Sequence, residues 1–393
     1  MKDALKFYSG PPAAVPYWRL SGFYFCFFAL LGATFPYWSL YLKSLGYTSA
    51  DIGVLLSIPM ATKVFAPSIW GWLADHTGRH LTIIRLGCLL ATVSFMGLFI
   101  SQSFWPLLFV MTSYSFFWNA VLPQHETITV SYLSHRPETY SHIRLWGSVG
   151  FILAVLIAGW WFDEGRIGSL PVVGTLLLAS IWLSSMIIPA PTHFEQQKPA
   201  THFLKACFHP ALLAFLVSGF LLQLAHGIYY SFFSIHLEAE GYSRVSIGFL
   251  WAVGVAAEVL VFLAMHSLLP RIGVRQIMLF SLLMATVRWF LIGHFAEFLW
   301  LLLIAQLLHA FTFGTFHASA IECVRRLFEP AHQGKGQAIY SGVSFGAGGA
   351  SGSLLGGIIW DIEPTWAYDL GSAVSLLALL VVGIWMRDQR LKN

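Results

Sequence analysis

The sequence predicts an all-α membrane protein of twelve transmembrane helices in two pseudo-symmetric six-helix bundles. Three observations predict it: a composition too apolar to coat a solvated surface, apolar runs of bilayer-spanning length separated by short polar breaks, and an internal repeat that lays the second half of the chain over the first.

Of the 393 residues 57% are hydrophobic and 10% charged, with a mean hydropathy of +0.70. A soluble domain carries about 25% charged residues, so this chain lacks the polar side chains to face water all round. The net charge of +4 raises nucleic acid as a partner. The Lys and Arg, however, fall on loops and form no basic face with interleaved aromatics, which excludes it. Cys26, Cys88, Cys207 and Cys323 stand singly without CxxC spacing, so neither a disulfide framework nor a zinc site is implied. The first twenty residues hold no apolar stretch ending in a small-residue cleavage site, and no cleaved signal is expected.

A helix crosses the hydrocarbon layer in about 20 residues. Apolar runs predict spans at 18–42, 51–73, 81–100, 104–130, 142–161, 169–189, 210–237, 245–267, 276–294, 298–321, 337–360 and 366–386. The basic residues Lys2, Lys6, Arg19, Arg79, Arg136, Lys198, Lys205, Arg271, Arg275, Arg325, Arg326, Lys335, Arg387, Arg390 and Lys392 lie before the first span, in even-numbered loops or after the last. The opposite loops hold Lys43, Arg166 and Arg244. By the positive-inside rule both termini are cytoplasmic. The longest polar segment follows the sixth span, so the expected division is a first bundle over 1–189, a cytoplasmic linker over 190–209 and a second bundle over 210–393.

The repeat is the most informative feature. GYTSADIGVLLSIPMATKV (46–64) aligns without a gap on GYSRVSIGFLWAVGVAAEV (241–259). This register of 195 residues pairs Gly46 with Gly241, Tyr47 with Tyr242, Gly53 with Gly248 and Val64 with Val259, and further upstream Gly32 with Gly227 and Ser39 with Ser234. Two six-helix halves in parallel repeat, with a path between them near the midplane, are similar to the architecture of major facilitator transporters. The same register sets Lys63 on Glu258, both deep in their spans. A lipid-facing charge at that depth costs about 2.5–3.5 kcal/mol on insertion scales, so each is expected to face protein or a watery cavity.

After the second span the chain reads Gly71-Trp72-Leu73-Ala74-Asp75-His76-Thr77-Gly78-Arg79-His80, which resembles the GxxxDxxGRR/K loop signature of the major facilitator superfamily. The four residues Gly71, Asp75, Gly78 and Arg79 are the gating candidates: Gly71 for close helix approach, Asp75 as an acceptor at a helix end, Gly78 for a tight turn before basic Arg79. The second-half counterpart keeps Gly273 but puts Pro270 in place of Asp75. The alternative is an ordinary cytoplasmic turn.

The segments LQLAHGIYY (222–230), GFLWAVGVAAEV (248–259), Val287-Arg288-Trp289, RLWGSV (144–149) and Leu308-His309 closely resemble the 3-phenylpropionate permease group within the lactose-permease-like proton symporters. That resemblance covers nearly the whole chain. It implies proton-coupled uptake of a small aromatic carboxylate through a bacterial inner membrane. Arg144 matches the family's substrate-binding arginine in its context; Glu126, on the preceding span, matches in helix but not in local sequence. The pair either binds substrate or anchors a helix hairpin at the headgroups.

Glu258 and Arg288 lie mid-membrane on consecutive spans, and an ion pair between them is expected, serving proton coupling or simple neutralisation. Glu126 and Glu258 are the proton-coupling candidates. Lys63, Arg144 and Arg288 are the candidate anchors for an anion or its balancing charges. The histidines at 125, 226, 309 and 317 lie within spans, and imidazole titrates nearest neutral pH. Of these His226, His309 and His317 are candidate substrate contacts or proton relays, or else packing residues. His309 and His317, eight apart, share a helix face. Lactose permease has a carboxylate one turn after its helix-ten histidine, whereas this chain has Thr312. Tyr229 and Tyr230, with Trp251 and Trp289, form either an aromatic box for a phenyl ring or interfacial anchors. The glycine run 342–357 has no preceding strand and reads as close helix packing, not a phosphate cradle. No metal is expected: His125-Glu126 lacks the HExxH spacing, and His202, Cys207 and His209 lack a fourth ligand. No cofactor is implied.

The expected partners are a small-molecule substrate, protons and the lipid bilayer, with the chain working as a monomer. The rival readings are a sugar or nucleoside symporter, a membrane enzyme using His and Glu near the cytoplasmic face, and a sensor that binds without flux.

Overall fold

The computed structural model describes residues 15–386 apart from 134, 135, 137, 164, 191–208, 330 and 331. The expected linker thus lies, save for its two end residues, outside the described residues. Among the described residues twelve helical segments succeed one another with no strand: α1 (Tyr17–Ser44), α2 (Ser49–Thr77), α3 (His80–Phe99), α4 (Phe104–Tyr132), α5 (Thr139–Asp163), α6 (Arg166–Met186), α7 (Pro210–Ala239), α8 (Arg244–Ile272), α9 (Val274–His294), α10 (Leu299–Leu327), α11 (Gln333–Trp360) and α12 (Pro364–Trp385). Eleven are both long and apolar enough to cross a bilayer. The exception is α4, whose 29 residues suffice in length but whose apolar run is diluted by Asn119, Gln124, His125 and Glu126. Large apolar side chains such as Phe109, Leu176, Leu260 and Leu263 are exposed on the outside, as a lipid-facing surface requires. Exposed Trp18, Trp105, Trp160, Trp300, Trp366 and Trp385 stand near helix ends, where indole rings anchor at the headgroups.

The 195-residue repeat is written into the turns as well as the spans. Gly46 and Gly241 both adopt φ 85°, a left-handed conformation that glycine tolerates. Thr48 and Ser243 then cap α2 and α8 by accepting from Asp51 N at 3.2 Å and Ser246 N at 3.2 Å. Between turn and cap, Tyr47 Oη donates to Gln102 O at 2.6 Å and Tyr242 Oη to Ala296 O at 2.9 Å. Each hydroxyl ties its own loop to the start of the fourth helix of its bundle.

The two bundles meet along α2 with α11 and α5 with α8, and more lightly along α1 with α7. They meet closely because repeat-equivalent glycines let backbones touch. A Cβ on Gly53 of α2 would lie 2.6 Å from Ser353 O of α11, and one on Gly248 of α8 would lie 2.7 Å from Val155 O of α5. Ser353 Oγ donates to Gly53 O at 2.9 Å across the seam, and Tyr37 Oη, against which Gly248 packs, donates to Val155 O at 2.8 Å within the first bundle. The expectation of close packing for the glycine run of α11 holds along its length: Gly348 abuts Phe220 O, Gly352 abuts Leu224 O and Gly357 abuts Ser49 O.

Charges close the same end. Glu238 at the end of α7 pairs with Lys43 at the end of α1 (3.4 Å) and with Arg244 (3.1 Å). Arg244 also donates from its backbone N to Asp163 Oδ1 at 2.8 Å and from Nη1 to Phe162 O at 2.7 Å. At the other end the bundles part. Beyond Phe65, α2 packs chiefly on α4 and α3 of its own bundle, and the first turns of α11 stay within theirs. A cavity thus opens toward the end that carries residues 71–80.

Candidate functional site

The cavity reaches its apex where α2 is broken. Pro59 removes one backbone donor and crowds the carbonyl four residues earlier. The helix tightens into a 3₁₀ turn at Thr62–Val64 and restarts at Ala66 with Pro67 in its first turn. Lys63 sits in that turn, at the midpoint of a 29-residue span. Its side chain is exposed, and its turn is flanked by Asn119 of α4 at Thr62 and by Gly342 and Gly346 of α11 at Val64; this places it on the cavity wall between the bundles and off the lipid face. Among the described residues it makes no hydrogen bond or ion pair.

Glu258 occupies the equivalent midpoint of α8. Its Oε2 lies 3.6 Å from His309 Nε2 of α10, with the carboxylate side chain 19% exposed and the imidazole 7%. The expected pair with Arg288 does not form. The helices α8 and α9 are neighbours in sequence but touch little, whereas α8 packs along α10, so the carboxylate reaches α10 instead. Gly314 lies beside the Glu258 side chain, a Cβ there coming 3.4 Å from Glu258 Cγ. It belongs to a π turn at Ala310–Thr315, a widened turn of the kind frequent at functional sites.

Arg288 is fully buried and is held without a carboxylate. Its Nε donates to Ala305 O at 2.9 Å, Nη1 to Thr312 Oγ1 at 3.4 Å and Nη2 to Gln306 Oε1 at 3.5 Å. Its guanidinium lies 4.3 Å from the Tyr229 ring centroid and 4.4 Å from that of Trp289. Tyr229 Oη completes the cluster by donating to Gln306 Oε1 at 3.0 Å. Of the four aromatics expected to box a phenyl ring, Tyr229 and Trp289 are thus buried against Arg288, and Trp251 is buried against Tyr229, its ring centroid 5.0 Å away. Tyr230 alone keeps open surface, and it meets Phe35 of α1 edge-on at 5.3 Å.

Arg144 of α5 is partly exposed, its guanidinium 4.0 Å from the Phe28 ring centroid and 5.5 Å from that of Tyr24. It makes no ion pair with Glu126 within 4 Å; its guanidinium lies over the Phe28 ring instead. The histidines divide. His125 is wholly buried against Phe23 and Tyr24 and packs. His226 is buried edge-on to Trp289 with Nδ1 2.9 Å from Leu222 O. His309 and His317 do share a face, with Phe313 between them at 5.5 and 5.9 Å.

In the residue 71–80 loop, Gly78 caps α2 at φ 65°, as its tight turn requires. Asp75, Gly78 and Arg79 are exposed. The Asp75 carboxylate is 3.8 Å from His80 Nε2, within ion-pair range but too long for the hydrogen bond expected of an acceptor at a helix end. Gly71 departs from expectation: a Cβ there would meet only Gln124 Nε2, at 3.7 Å, so no helix approaches closely. Among the described residues no three His, Cys, Asp or Glu converge as metal ligands. Sequence reasoning passed over Gln306 and Asn119, although each is a carboxamide inside an apolar run, which is the signal that would have found them.

Comparison with known proteins agrees with this geometry. The chain is 29% identical over 374 residues to a probable 3-phenylpropionic acid transporter of Escherichia coli (strain K12), covering 91% of this chain and 95% of that one. It is 26% identical over 372 residues to a maltose permease of Geobacillus stearothermophilus, covering 92% and 93%. Its fold superposes on the crystal structure of a mutant of the nucleoside transporter NupG with a TM-score of 0.84 at 18% identity, covering 94% of this chain and all of that one. The MFS_1 like family model matches residues 17–370, and the chain belongs to that family of major facilitator transporters.

Proposed function

We propose that the protein is a proton-coupled symporter that imports a small aromatic carboxylate of the 3-phenylpropionate kind by alternating access. The observation that carries this reading is Lys63: an ammonium at mid-span on the cavity wall, with no counter-charge among the described residues. A group left so is expensive in a membrane, and an anionic cargo supplies the missing charge. The printed name of the Escherichia coli relative supports the same cargo class. Tyr230 and Phe35 offer aromatic surface to the ring, and Arg144 a second cation.

Protons are assigned to Glu258. It is open to the cavity and touches His309 at 3.6 Å, too long for a hydrogen bond and so easily exchanged for a proton. Glu126, facing Arg144, is the other candidate. The two bundles, 1–189 and 210–393, rock about the midplane while the 190–209 linker spans them. With both termini cytoplasmic, the end closed by Glu238 is periplasmic, and the cavity faces the cytoplasm through the Gly71–Arg79 loop. The chain works as a monomer in the inner membrane.

Uptake of radiolabelled 3-phenylpropionate into proteoliposomes, with and without an inward proton gradient, tests the proposal. Gradient-dependent uptake is expected, competed by phenylpropionate and weakened in Lys63→Gln through a raised KM. A neutral cargo, which the maltose permease likeness favours, predicts instead no uptake of labelled phenylpropionate, and gradient-dependent uptake of labelled maltose, lactose or uridine that is indifferent to Lys63→Gln; that result would sink the carboxylate reading.

A further inference from the structure

We infer that Asn119 is a positioning residue for Lys63, setting where the ammonium stands on the cavity wall and hence how tightly the carboxylate of the cargo is held. The inference rests on the role proposed for Lys63. It starts from the broken α2. A helix interrupted at Pro59 leaves carbonyls without partners, and a free 3₁₀ turn at mid-membrane would be mobile in direction. Asn119 of α4 resolves this. Its Nδ2 donates to Pro59 O at 3.1 Å and to Thr62 Oγ1 at 2.8 Å. Thr62 Oγ1 in turn lies 3.1 Å from both Ile58 O and Pro59 O.

Both Asn119 and Thr62 are buried, and Asn119 is fixed on α4 beside Trp118, whose ring stacks on Phe27 at 4.0 Å. The residue after Thr62 is Lys63. A clamp on Thr62 therefore fixes the direction in which the next side chain leaves the turn. On the far side Val64 lies against Gly342 and Gly346 of α11, so the turn is held by one bundle at Thr62 and touched by the other at Val64.

The second bundle makes the point by contrast. In the 195-residue register Pro59 corresponds to Gly254 and Asn119 to Gly314. There α8 runs unbroken, Gly314 lies beside Glu258, and among the described residues no carboxamide donates to the α8 backbone: that of Gln306, beside Gly254, accepts from Tyr229 and Arg288. The charge in the first bundle is carried by a break and a clamp; that in the second by a continuous helix against a π turn.

The test uses the full-length protein in proteoliposomes. Asn119→Ala removes both bonds of the clamp, and Thr62→Val removes the one to Thr62 with little change in volume. Both are expected to raise KM for 3-phenylpropionate about tenfold with the maximal rate within about twofold, the signature of lost binding without lost turnover. The two effects should not add, and neither should appear in a Lys63→Gln background. A direct readout follows the turn itself: with Lys63→Cys, alkylation by an anionic thiol reagent is expected to change several-fold when Asn119→Ala is added. An unchanged alkylation rate, or an Asn119→Ala effect of equal size in the Lys63→Gln background, overturns the inference. If Lys63→Gln leaves KM for phenylpropionate unchanged, the carboxylate reading falls, while the alkylation experiment still decides the clamp.

Discussion

Lys63 and Glu258 stand at matched midpoints of two 29-residue spans, yet their surroundings differ. Glu258 has an imidazole within 3.6 Å; Lys63 has no partner among the described residues. The asymmetry fits a division of labour in which one charge waits for cargo and the other exchanges a proton. Glu258→Gln keeps the shape and removes the titration. It is expected to abolish accumulation of substrate above equilibrium while sparing exchange of internal for external substrate. Both are measured in the same vesicles, and accumulation at the wild-type level would remove Glu258 as the proton carrier. The repeat made these two residues legible in the sequence. The partner of Glu258 was not, because adjacency in sequence suggested α9, whereas the choice between α9 and α10 is made by tertiary packing. The solitude of Arg288 among Ala305 O, Gln306 and two rings was hidden for the same reason.

At the level of elements, the spans were readable because a bilayer-long apolar run has few other uses. Their interruptions were less so. The α2 break carries a local signal in Pro59, but the π turns at Ala310–Thr315 and Gly342–Gly348 answer to neighbouring helices and leave no periodicity of their own. What the sequence alignment does expose is the glycine pair at the crossing points. Adding a methyl at Gly248 would drive it into Tyr37 Oη and Val155 O, and at Gly53 into Ser353 O. Overpacking of this kind costs about 1–3 kcal/mol, and it falls only on the conformation in which the bundles touch there. Each 1.4 kcal/mol is about tenfold in the equilibrium. Gly248→Ala and Gly53→Ala are therefore expected to populate the oppositely open state. The check is alkylation of a cysteine placed at Ser353, buried in the closed end, which should react faster in the glycine variants. Equal rates would mean that the helices absorb the methyl without parting.

Across the whole molecule, the closed end is held by two kinds of contact of unequal strength, and they should be separable. The Lys43–Glu238 pair joins residues 195 apart in the chain across the pseudo-symmetry axis. Its side chains are 47% and 29% exposed, so about 0.2–1 kcal/mol is its expected worth. Arg244 is better placed: its side chain is 18% exposed, and it ties Glu238 to Phe162 O of the opposite bundle. Hydrogen bonds to a charged group contribute about 1.5–3 kcal/mol. Lys43→Gln should thus barely change the balance of conformations, while Arg244→Gln should shift it several-fold toward opening of this end. Spin labels on cysteines at Gln102 and Glu297, exposed loop positions on either side of that end, report the separation directly. The longer distance should gain population in Arg244→Gln and hardly at all in Lys43→Gln. Were the two variants to behave alike, the end would be held by the glycine-lined helix crossings, and the charges would be bystanders on a seam already closed by packing.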